Sequence, residues 1–149
     1  MTQRRPALAT ALLSLLATTC AQADSGCFVA PGAQIAFGVV VALASTGDVD
    51  GDSGSSLVVQ CAADVEVSPS LYASTPRVMT GPGGELPFRL SLASAGGPEL
   101  VDAAPGSPLA VTGDGQDHVV PLHARLRAVD FAALPAGSYA GSVTLTIEY

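Results

Sequence analysis

Pro135-Ala-Gly-Ser-Tyr-Ala-Gly-Ser-Val-Thr-Leu-Thr-Ile-Glu-Tyr149 is the stretch on which the fold turns. From Ser142 onward Val143, Leu145, Ile147 and Tyr149 alternate with Ser142, Thr144, Thr146 and Glu148. A period of two in β-branched and aromatic residues predicts a half-buried strand with the first set on the core face. Pro135-Ala-Gly-Ser138 ahead of it is turn chemistry, since Pro sets φ and Gly is free to take φ > 0. A last strand ending on an aromatic residue is either the closing strand of a sheet or an edge that awaits a partner.

Working back, the same period recurs in short runs. Ile35 and Phe37 alternate until Gly38, where a bulge or bend is expected. Ser56–Cys61 and 65–72 read as strands, with Val65 and Val67 set against Glu66 and Ser68. Arg77-Val-Met79 is a short one, and Gly81-Pro-Gly-Gly84 is a tight turn. Leu86, Phe88, Leu90 and Leu92 share one face of a further strand, on which Pro87 argues for an edge or a start. Residues 119–129 read as one strand with Val120, Leu122, Ala124 and Leu126 facing inward and His123, Arg125 and Arg127 outward. Segments 45–56 and 93–106 are loops by composition, and Pro31-Gly32 is a turn. Turns every ten or so residues, with 16 Gly and 11 Pro, make the class all-β, a sandwich or barrel.

The first 23 residues stand apart. Arg4 and Arg5 precede the apolar run Ala7–Ala17 and then Ala21-Gln-Ala23, the order of a secretory signal peptide with cleavage after Ala21 or Ala23. The run is too short to span a bilayer, and Cys20 lacks the flanking residues of a lipid-attachment site. Residues 24–149 are then the β-domain, bound for secretion. Removal of the leader takes Cys20 and leaves Cys27 and Cys61, a pair that an oxidising compartment joins. The mature charge is 4 arginines against 13 acids, 4 − 13 = −9, with no lysine anywhere. Such a surface repels nucleic acid and anionic lipid and suits a basic partner.

Chemistry is sparse. Asp48-Val-Asp-Gly-Asp-Ser-Gly54 spaces carboxylates like a calcium loop, but Ser53 holds the Gly position and Val59 the bidentate Glu position. A solvated acidic turn is the simpler reading. His118 and His123, five apart on one expected strand, face opposite ways and cannot share a metal. Asp117 beside His118 is a neighbour pair, not a dyad, and no serine sits in a nucleophile elbow. The residues point to no catalytic centre, no cofactor and no metal.

The terminal Leu134–Tyr149 stretch, together with Ile35-Ala-Phe-Gly38, Ser56-Leu-Val-Val-Gln-Cys61, Arg77-Val-Met79 and Leu86-Pro-Phe-Arg-Leu90, resembles the spore coat protein U domain family of archaic chaperone–usher pilus subunits. The resemblance covers about Cys27 to Tyr149. It implies a Cys27–Cys61 disulfide and an immunoglobulin-like, pilin-type sandwich that lacks its last strand. It further implies a groove filled first by a periplasmic chaperone's strand and then, through an outer-membrane usher, by a neighbouring pilin subunit. That is β-augmentation, and Val143, Leu145, Ile147 and Tyr149 would form the receiving edge. Shaft subunits of the family carry a donor segment before the first cysteine; here cleavage after Ala23 leaves Asp24-Ser-Gly26, too short to span a groove. The expectation is a subunit that accepts a strand but does not donate one, at the tip or as an accessory. The alternative is a freestanding secreted module that binds a surface or glycan.

Overall fold

The period-two run at the C-terminus forms the longest strand, and the rest of the sandwich is laid out beside it. In the computed structural model, residues 9–17, 26–30, 33–40, 47–52, 55–63 and 66–149 are described. In chain order the strands are β1 (Ala9–Ala17), β2 (Cys27–Val29), β3 (Gln34–Val40), β4 (Val49–Asp50), β5 (Ser56–Cys61), β6 (Ser70–Ala73) and β7 (Val78–Gly81). There follow β8 (Gly84–Pro87), β9 (Arg89–Ser91), β10 (Ser107–Pro108), β11 (Asp117–Pro121), β12 (His123–Leu126), a single helical turn α1 (Ala128–Phe131) and β13 (Tyr139–Glu148).

One sheet runs β10-β6-β13-β1-β3, and the hairpin β7–β8 adds to it through β7 and β13. Two three-stranded sheets, β11-β5-β2 and β4-β12-β9, complete the all-β sandwich. The three sheets share one hydrophobic core. Ile35, Met79 and Val143 reach it from the large sheet, Leu57 and Val59 from the second, and Leu90 and Leu126 from the third.

The inward faces expected from periodicity are observed at Leu86, Phe88, Leu90, Val120, Leu122, Ala124, Leu126, Val143 and Leu145, all buried. Ile147 is partly buried, and Tyr149 departs from expectation: it lies past the end of β13 and is 48 % exposed. Its ring rests over Gly26, where a Cβ would overlap it. The bulge expected near Gly38 is present: β1 pairs Ala11 with Gly38 and Leu12 with Ala36, so Phe37 is passed over. The tight turn at Pro82-Gly83 is also present, closed by Gly84 at φ 103°, which a side chain disfavours.

Several segments differ from the sequence reading. Residues 119–129 do not form one strand: β11 ends at Pro121, β12 begins at His123 in another sheet, and α1 follows. His118 and His123 therefore sit on different strands. Likewise 86–92 divides at Phe88 into β8 and β9, again in different sheets. The strand expected over 65–72 starts only at Ser70, after Pro69, which has no N–H for a ladder. The 45–56 loop contains the short strand β4, paired to β12. The expected leader charges, Cys20, the cleavage sites, the Pro31-Gly32 turn and Val65 lie outside the described residues.

Candidate functional site

Tyr139 opens β13 and fixes its entry. Its hydroxyl donates to the Pro135 carbonyl at 3.0 Å, while its ring lies where a Cβ on Gly81 would stand. A tyrosine at the start of a strand bonding back to the preceding corner is a mark of immunoglobulin-type sandwiches. Past this corner β13 has two edges. One pairs antiparallel with β7 at Ala140↔Thr80 and with β6 from Leu145↔Ala73 to Glu148↔Ser70. The other is taken, from Tyr139 to Leu145, by β1 running parallel, with Ala11 opposite Tyr139 and Ala17 opposite Leu145.

On its far side β1 pairs antiparallel with β3, from Ala9↔Val40 to Ser14↔Gln34. This is the only ladder that β3 makes among the described residues, so β1 alone links it to the sheet. The other edge of β3 is tied to the acidic loop. The Ala36 N–H donates to Asp52 Oδ1, the Asp52 N–H donates to the Ala36 carbonyl, and the buried Ser55 hydroxyl donates to the Gln34 carbonyl. Take β1 away, and two facing strand edges are left bare above Ile35, Phe37, Val143 and Leu145. In the structure β1 fills the one-strand space between these edges. Of the residues expected at a receiving edge, Val143 and Leu145 lie opposite Leu15 and Ala17, Ile147 pairs instead with Leu71 on β6, and Tyr149 follows the strand.

Cys27 and Cys61 are directly opposed on β2 and β5 and joined by a disulfide, 34 residues apart in sequence. The bridge joins neighbours within one sheet and pins β2 to β5.

The aspartates of the 48–52 loop are exposed, as a solvated acidic turn requires, and each also ties the loop to a neighbouring element. Asp48 Oδ1 accepts the Ala128 N–H, capping α1 where its own flanking Arg127 supplies no cap. Asp50 grips Arg125 through Nε at 2.6 Å and Nη2 at 3.0 Å. His118 meets Asp114, not Asp117, at 2.8 Å. The Gln116 N–H first, and His118 second, hold the Asp114 carboxyl below the usual carboxylate range. Among the described residues, no three His, Cys, Asp or Glu side chains converge as metal ligands. No described helix is long and apolar enough to cross a membrane.

A second feature was invisible in the sequence. Arg77, Arg89 and Arg127 line a cleft of about 520 Å³ together with Glu99, Asp102 and Asp130. A smaller cleft of about 180 Å³ shares Arg89, Glu99 and Arg127 and adds Arg125. These residues span some fifty positions of chain on five segments, and only the sandwich brings them together.

The fold is an all-β sandwich in which β1 lies between β3 and β13. The sequence profile of the Spore Coat Protein U domain matches residues 10–146. The chain belongs to the spore coat protein U domain family, which includes fimbrial and pilus subunits, and its role is structural and of pilus type. Pilus-type members are surface proteins, and the family is not enzymatic. No curated protein matches the chain significantly.

Proposed function

We propose that residues 24–149 are a pilus subunit assembled by strand complementation at the groove between β3 and β13. The observation that carries this reading is β1: the sandwich takes a strand at this position from the apolar run of the expected secretory leader. If export removes that leader, the subunit is left with bare edges at Gln34–Val40 and Tyr139–Leu145. A chaperone strand in the periplasm fills them first, and a strand from a neighbouring subunit replaces it at the outer-membrane usher. Main-chain hydrogen bonds to both edges supply affinity, and the core side chains below supply the pockets.

Between Ala23 and Cys27 only Asp24-Ser-Gly26 remains. Three residues at about 3.3 Å each do not match the seven-pair ladder that β1 makes on β13. The subunit is therefore an acceptor, suited to a pilus tip or an accessory position. Expression of residues 24–149 in the periplasm, with and without a pilus chaperone, tests this. The expected result is degradation or aggregation alone and a one-to-one soluble complex with chaperone. Accumulation as a folded monomer that ignores the chaperone would leave a freestanding module as the better account.

A further inference from the structure

We propose that the cleft framed by Arg77, Arg89 and Arg127 binds a neutral polyhydroxylated ligand of the oligosaccharide class. This goes beyond assembly, and the site shares no residue with the β3 edge or with β13. Three guanidiniums face three carboxylates, so the lining is close to neutral. They alternate: Asp102 and Glu99 each lie 2.9 Å from Arg77, and Glu99 also lies 3.2 Å from Arg89. Arg127 grips Asp130 at 2.9 and 3.0 Å.

Arg77 is fixed, its side chain 10 % exposed and its Nη1 donating to the Leu100 carbonyl at 2.7 Å. Arg89 and Arg127 are different, with side chains 48 % and 43 % exposed. Among the described contacts Arg89 uses only Nη1, and Arg127 uses Nε and Nη2. Each guanidinium has five N–H groups, so both keep donors aimed at solvent, and the carboxylates beside them keep acceptor capacity. The cleft thus holds donors and acceptors side by side, with the rings of Pro76 and Pro87 in its lining. Its volume is that of a small-molecule site.

Stability accounts for only part of the arrangement: Arg77 and Asp130 are largely buried, but the pair that exposed Arg89 makes with Glu99 contributes little. Every arginine beyond the leader lies in this zone, and the chain has no lysine, so the remaining surface carries acid without a cation of that kind to offset it. An anionic ligand would meet that field and find no net positive charge in the cleft. A cationic ligand would be drawn to the rest of the surface. A neutral ligand rich in hydroxyls needs only what the cleft offers, paired planar donors and acceptors.

The test is saturation-transfer NMR and titration calorimetry on the full 149-residue chain with neutral trisaccharides built from glucose, mannose, galactose and N-acetylglucosamine, and with a sulfated trisaccharide. We expect a neutral trisaccharide to bind with no loss at high salt. Arg89→Gln and Arg127→Gln should each weaken it about tenfold or more, as loss of a charged hydrogen bond does. Amide shift changes in the unaltered chain should map to Ser74–Arg77 and Pro87–Arg89, a readout that needs no variant to fold. Absence of neutral binding, binding of the sulfated ligand alone with steep salt dependence, or shifts elsewhere would overturn the proposal.

Discussion

Gly141 shows how tightly the strand beside the groove is held. A Cβ there would run into the Val78 carbonyl and the Met79 backbone, and neither can move without breaking the sheet. Gly141→Ala should therefore destabilise the chain by about 1–3 kcal/mol, the usual cost of overpacking, read as a lower denaturant midpoint with unchanged slope. Asp130 is a second informative residue. Hydrogen bonding from Arg127 is the main cause holding its carboxyl below the usual range. Its folded pKa lies under the unfolded value of about 3.9, so its contribution is present above that pH and fades as pH falls through the folded value. Asp130→Asn should lower the melting temperature at neutral pH and flatten the melting profile below about pH 4 relative to the unaltered chain. Equal acid slopes in the two proteins would contradict the assignment. Asp114 has the same sign, held down by the Gln116 N–H and then by His118.

Among the elements, the Cys27–Cys61 staple closes a loop of 34 residues. In the chain-entropy model a loop of that size is worth about 4 kcal/mol. Reduction, or Cys61→Ser with Cys27→Ser, should cost roughly 2–4 kcal/mol in chemical unfolding. No change would mean that β2 is held by its ladder alone. The elements also show what periodicity can and cannot report. Leu86, Phe88 and Leu90 are all buried, and so are Val120, Leu122 and Ala124, although each run crosses from one sheet to another. Both sheets face the same core, so alternation continues unbroken through the crossing. The signal that marks the break is proline, since β8 ends at Pro87 and β11 at Pro121. The disulfide, the bulge at Phe37 and the inward set of β13 were legible because each depends on local chemistry or period. Tyr149 was misplaced because alternation continues past the last paired residue. The arginine cleft was not legible at all, because Arg77 reaches Glu99 and Arg125 reaches Asp50 only across the fold.

For the molecule as a whole, the decisive fact is that, among the described residues, β3 joins the large sheet only through β1. A strand paired on both edges satisfies backbone groups on two neighbours at once, and bare edges are a liability that proteins cover. On the proposed reading the sandwich is whole only with a strand in this place, and the source of that strand decides whether the subunit stands alone or assembles. Thermal unfolding of residues 1–149 and 24–149 side by side, the shorter chain with and without a peptide of the Ala9–Ala17 sequence, measures this most directly. The account predicts that the shorter chain melts lower by about 10 °C or more, a loss of several kcal/mol for a domain of this size, and that the peptide restores the difference. Identical melting of the two chains, with no response to peptide, would contradict it.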